Sequence, residues 1–87
     1  MEFLSAMSDT TRQEIVHLFA AKKELRANDV ANNFALSRPT VSHHLNLMKR
    51  SGILFSRKSG KEIYYSFNKK LVLEVLTSIL DDIKKYC

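Results

Sequence analysis

The residues best suited to chemistry lie in one run, Ser37-Arg38-Pro39-Thr40-Val41-Ser42-His43-His44-Leu45-Asn46, which offers hydroxyls, a guanidinium, imidazoles and a carboxamide. Wound as a helix at about 100° per residue, the run turns Val41, Leu45 and Met48 inward. Pro39, His43, Asn46 and Arg50 then project from the opposite side, with Ser42 beside them. Such groups read hydrogen-bonding surfaces. Arg38 can pair twice with guanine and Asn46 twice with adenine, while short hydroxyls and Pro39 let the backbone approach phosphates and thymine methyls. We therefore expect Ser37, Arg38, Pro39, Thr40, Ser42, His43 and Asn46 nearest the bases and backbone of duplex DNA. Thr40, His44 and Leu47 fall on a flank where partial burial against another element is expected.

Bond-breaking chemistry finds no support. There is no Gly-rich phosphate loop, no His-Glu-x-x-His, and only two glycines with which to build a strained active-site turn. Ser42 and His43 are sequence neighbours, and neighbouring side chains on a helix diverge, so they cannot act as nucleophile and base. His17 belongs to an earlier helix, and His43 and His44 point roughly 100° apart. No metal site and no cofactor are expected. Cys87 is the only cysteine and the last residue, which excludes an intramolecular disulfide and suggests an idle thiol.

The formal charge of +5 is concentrated in the middle of the chain. Residues 1–29 carry four basic and five acidic side chains, residues 62–87 four of each, and residues 30–61 six basic and none acidic, so the three segments sum to −1, +6 and 0. An acid-free basic stretch suits a polyanion, because each phosphate neutralised releases condensed counterions. Lys49, Arg50, Arg57, Lys58 and Lys61 are assigned to phosphates.

The elements that must position these groups are legible from caps and periods. Glu2 to Met7 predicts a short helix, and Ser8-Asp9 caps a second one carrying Ile15, Leu18 and Phe19. Leu25 begins a connector. Ala27 to Phe34 predicts a two-turn helix and Ala35-Leu36 a tight turn. Ser37 as N-cap, Pro39 in the first turn and Gly52 at the left-handed C′ position bound a helix from Arg38 to Ser51. The period then changes to two. Ile53 to Lys58 and Ile63 to Phe67 form a hairpin about Ser59-Gly60, with Ile63, Tyr65 and Phe67 on one face and Tyr64 and Ser66 on the other. Lys69 to Tyr86 is a last helix whose apolar residues span too much circumference for one buried side, which implies a second copy of the chain against Val72, Val75, Leu76, Ile79, Leu80, Ile83 and Tyr86.

The order predicts a mainly α fold with a small β-hairpin, a winged helix-turn-helix, in one domain over residues 1–87. No apolar run reaches the ~18 residues of a membrane span and the N-terminus lacks signal-peptide character, so the chain is expected in the cytoplasm with no membrane partner.

Met7-Ser8-Asp9-Thr10-Thr11-Arg12, Ala35-Leu36-Ser37-Arg38-Pro39-Thr40-Val41-Ser42-His43-His44-Leu45, Ser51-Gly52-Ile53-Leu54 and Tyr64-Tyr65-Ser66 together resemble the ArsR/SmtB family over nearly the whole chain. The resemblance implies a bacterial repressor that dimerises through its terminal helices, bringing Phe3 and Leu4 into the interface, and that leaves its operator when an inducer binds. Thr10 stands where the family commonly has proline, and Ala35 where the turn often has Gly or Asn. Members sensing soft metals carry paired cysteines on the helix that here reads Arg26-Ala27-Asn28-Asp29-Val30-Ala31-Asn32-Asn33-Phe34, which has no thiol. Zinc-type members place His and carboxylates on the last helix, which here offers Asp81 and Asp82 and no His, a poor donor set for Zn²⁺. The reading is thus a homodimer on a palindromic operator without direct metal sensing, its inducer unknown. A metal sensor with atypical ligands, or a winged helix that docks an acidic protein, are the alternatives.

Overall fold

The computed structural model describes residues 2–86; Cys87 lies outside them. The elements run α1 (Glu2–Met7), α2 (Thr10–Ala21), β1 (Leu25–Arg26), α3 (Ala27–Phe34), α4 (Arg38–Arg50), β2 (Leu54–Ser59), β3 (Glu62–Phe67) and α5 (Lys69–Tyr86). Three helices pack against a small antiparallel sheet of order β1-β3-β2. This is a winged helix-turn-helix in which α3 and α4 form the helix pair and β2–β3 the wing.

Local sequence explains most boundaries. Asp9 caps α2 by accepting from the Arg12 N–H at 3.1 Å, and Ser37 caps α4 by accepting from the Thr40 N–H at 3.3 Å. Gly52, at φ +85°, ends α4: its N–H donates to Lys49 O at 3.0 Å and the Ile53 N–H to Met48 O at 2.9 Å. That pair of bonds is the Schellman closure. A Cβ at Gly52 would also lie 2.6 Å from Leu71 Cδ2. In the tight turn between α3 and α4, Ala35 adopts the left-handed conformation, φ 54° and ψ 38°, at a cost of roughly 1 to 2 kcal/mol for a non-glycine residue.

The wing register pairs Ser59 with Glu62, so the two-residue turn is Gly60-Lys61 and not Ser59-Gly60. Gly60 alone takes a positive φ there, +62°, as a type II′ turn requires at its first central position. Ile63, Tyr65 and Phe67 share a face as expected, opposite Lys58, Ser56 and Leu54. The connector at Leu25 is in fact a short strand, with Leu25 paired to Tyr65 and Arg26 to Tyr64. Two residues are too few to display a period, so it left no sequence signal.

The core is built from Ile15 and Phe19 of α2, Val30 of α3, Val41, Leu45 and Met48 of α4, and Ile53, Leu54 and Tyr65 around the wing. Phe3 and Val72 are also buried in it, which corrects their assignment to a dimer surface. Apolar period alone cannot say which partner a stripe meets. On α5 there are two stripes: Val72 and Val75 pack on the protomer's own core, whereas Leu73, Leu76, Leu80 and Ile83 stay 49–52% exposed. Leu4 and Tyr86 are exposed as well, and Ile79 is half-buried.

Candidate nucleic-acid interface

The helix-turn-helix places the N-terminal half of α4 beside the wing. A groove of about 280 Å³ runs between them, with Arg38, Ser42 and Asn46 on the helical wall and Lys61, Glu62 and Ile63 on the wing wall. Three residues expected to read bases thus converge on a residue expected to hold a phosphate. Pro39, Thr40 and His43 are exposed on the same helix, while Ser42 is half-buried. Lys49 and Arg50 are exposed in the last turn of α4, where they complement the negative end of the helix dipole. Lys58 and Lys61 are exposed at the wing tip.

Several of these groups already have partners. The Ser37 hydroxyl donates to Thr40 Oγ1 at 2.9 Å while accepting from the Thr40 N–H, so it serves the cap. Arg38 Nη1 donates to Asn28 Oδ1 at the start of α3, which fixes one edge of the guanidinium and leaves the rest free. Arg57 departs furthest from expectation. It lies on the sheet face opposite Tyr65, stacks 4.6 Å above the Tyr64 ring, and donates to Glu24 through Nε at 2.7 Å and Nη2 at 2.9 Å. Those bonds hold the Glu24 carboxyl below its usual range and raise Arg57 further. The guanidinium braces the wing across the sheet while its side chain stays 55% exposed, so taking a phosphate, as expected of it, would mean giving up Glu24. Asp29 caps α3, accepting from the Arg26 N–H at 2.9 Å, and the Arg26 side chain lowers its carboxyl in turn.

His44 is buried at 9% exposure, deeper than the flank position suggested. Its Nδ1 meets Arg12 Nη1 of α2 at 3.2 Å. Burial is the largest cause lowering its pKa, with Asp9 opposing. Sequence reasoning passed over Asn28, Glu24 and Arg12 because their partners stand 10 to 33 residues away. It also missed Glu62, the first acid after the basic stretch, which lines the groove.

The sequence profile described as bacterial regulatory protein, arsR family, matches residues 9–55, the span from the cap of α2 into the wing. The chain belongs to the arsR family. It is 35% identical over 80 residues to the transcriptional repressor SdpR of Bacillus subtilis, covering 92% of this chain and 88% of that one. It is 42% identical over 71 residues to a homolog of the cadmium resistance transcriptional regulatory protein CadC of Staphylococcus aureus, covering 82% of this chain but 59% of that one. An ArsR-like transcriptional regulator from Rhodococcus sp. RHA1 superposes with a TM-score of 0.88 at 25% identity, covering 98% of this chain and 77% of the other. These relatives are transcriptional regulators, and this ArsR-family chain is read as a regulator and not as an enzyme.

A metal site of the family's kinds does not fit the residues present. The α3 face offers amides and Asp29 without a thiol, α5 offers Asp81 and Asp82 without an imidazole, and no group of three His, Cys, Asp or Glu side chains is disposed to hold a metal among the described residues. No helix among them is long and apolar enough to cross a membrane.

Proposed function

We propose that this chain is a homodimeric transcriptional repressor, a single DNA-binding domain acting in the cytoplasm on an inverted-repeat operator, without direct metal sensing. The observation that carries the reading is the groove in which Arg38, Ser42 and Asn46 of α4 face Lys61 of the wing. Ser37, Arg38, Pro39, Thr40, Ser42, His43 and Asn46 approach the major groove, and Lys49, Arg50, Lys58 and Lys61 take phosphates. Phosphate contacts set register and affinity, while the base contacts carry sequence.

The outer stripe of α5 supports self-association. Leu73, Leu76, Leu80 and Ile83 alternate in steps of three and four, the spacing that lets two helices seat side chains between one another. Four large apolar side chains in a row on so small a protomer need cover, and a second copy supplies an identical stripe. Tyr86, three residues beyond Ile83, extends it, and Leu4 of α1 is exposed as well. A two-fold dimer places two α4 helices about one helical turn of DNA apart, so half-sites repeat with that spacing or a small multiple.

Likeness to a repressor at nearly full length supports repression over activation. Likeness to a cadmium-resistance regulator favours the second reading, a metal-responsive one, and the donor set argues against it. Selection of bound sequences from a random duplex pool, run with added zinc and with chelator, tests both. An enriched inverted repeat indifferent to metal supports the proposal. Release by zinc would establish metal sensing, and enrichment of nothing would leave the basic face to an acidic protein.

A further inference from the structure

Arg12 has no role in the interface described above, yet its side chain is only 12% exposed and links three helices. From α2 its Nε donates to Ala6 O at 2.6 Å and Nη2 to Ser5 O at 3.3 Å. Both are last-turn carbonyls of α1, short of donors within their own helix, and Ser5 O also accepts from the Ser8 N–H at 3.3 Å and Oγ at 2.7 Å. On its other side Nη1 meets His44 Nδ1 on α4. The guanidinium is therefore a bracket: one edge closes α1, the helix that carries exposed Leu4, and the other holds the inward flank of the helix that carries Arg38, Ser42 and Asn46.

The geometry points to Arg12 as a positioning residue for α4, acting through neutral His44, so that DNA binding weakens when His44 is protonated. This inference rests on the DNA-binding reading above. A guanidinium only donates, so the contact requires a lone pair on Nδ1 and leaves the ring proton on Nε2. An imidazolium carries protons on both nitrogens and repels Arg12. Among the described side chains, the charged and titratable groups facing His44 are Arg12 and Asp9 from the α2 side and His43 on α4 itself, its ring centroid 5.8 Å away. Asp9 Oδ2 lies 3.9 Å from Arg12 Nη1 and partly offsets the repulsion. In free protein α4 can give way to an imidazolium, whereas a helix seated in a groove cannot. Protonation and DNA binding therefore compete.

Two variants separate positioning from packing. His44→Asn supplies an amide oxygen near the Nδ1 position and does not titrate; Arg12→Met keeps length and removes every donor. The probe is the duplex enriched in the selection above, titrated by fluorescence anisotropy from about pH 8 to about pH 5.5, with thermal melts to verify folding at each pH. Wild type should lose roughly five- to tenfold more affinity than His44→Asn across that range, one decade corresponding to a one-unit difference in the pKa of His44 between free and bound protein. At about pH 8, Arg12→Met should bind roughly tenfold more weakly with an unchanged salt slope, because Arg12 lies beneath α4 and takes no phosphate. Coincident pH profiles for wild type and His44→Asn would overturn the inference while leaving the DNA-binding reading intact. So would a salt slope shallower by about two per dimer in Arg12→Met, which would make Arg12 a phosphate contact. Failure of wild type to enrich any duplex would remove both the reading and the inference.

Discussion

Affinity for the operator should fall steeply with salt, and the structure sets how steeply. Lys49, Arg50, Lys58 and Lys61 are exposed, and none is in an ion pair among the described residues. Arg57 is excluded because Glu24 holds it. If each of these side chains takes one phosphate, a dimer neutralises roughly eight, and at about 0.9 per contact log K falls with log salt at a slope of about −7. Raising salt from about 50 to about 200 mM then lowers affinity by about four decades. Adding Arg57 would steepen the slope to about −9, so the measurement distinguishes the two placements of that residue. Anisotropy titrations of a labelled selected duplex over a series of salt concentrations give the slope directly. Lys61→Ala should make it shallower by about 2, with both copies of the wing losing a contact, whereas Arg57→Ala should leave it unchanged. The reasoning is refuted if Arg57→Ala flattens the slope and Lys61→Ala does not, or if wild type is no steeper than about −3.

Other perturbations test the remaining elements. Gly52→Ala places a Cβ in a left-handed residue against Leu71 and should lower stability by about 1 to 3 kcal/mol in denaturant unfolding, with loss of DNA binding as the α4 end shifts. Ala35→Gly removes left-handed strain at φ 54° and, after the larger entropy of glycine in the unfolded chain, should stabilise by about 0.5 to 1 kcal/mol. Leu80→Glu places a charge in the exposed α5 stripe and should yield a folded monomer in sedimentation at micromolar concentration, with operator affinity reduced at least about a hundredfold; a dimer that survives it would move the interface elsewhere. His44 is held below its ordinary value of 6.5, mainly by burial, so protons favour the unfolded chain. Stability from this site is complete above that value and is lost as pH falls toward the lowered folded one, a decline in melting temperature that His44→Asn should flatten.

Much of the fold was legible because its determinants are local. Ser37, Pro39 and Gly52 act on backbone groups within a few residues, and the change of period after Gly52 needs no knowledge of the rest of the chain. The outward face of α4 followed from angle alone, whereas the turn at Ala35-Leu36 was placed by the break between two helical patterns and its left-handed conformation came only with the structure. Family membership was likewise written in runs of adjacent residues.

Tertiary structure decided what long-range partners decide. An apolar stripe signals burial without naming the surface that buries it, so Phe3 and Val72 turned to the protomer's core while Leu73 and its neighbours stayed outside. Long cationic side chains swing through several ångströms, and their partners depend on which strands lie side by side. Arg57 reached Glu24 across 33 residues of sequence, and Arg12 reached His44 across 32. The two-residue strand β1 exists only because β3 lies beside it. Sequence by itself determined the helices, the wing and the outward face of α4; only the assembled fold determined which charges remain unpaired, because pairing is a property of distances that no local pattern encodes.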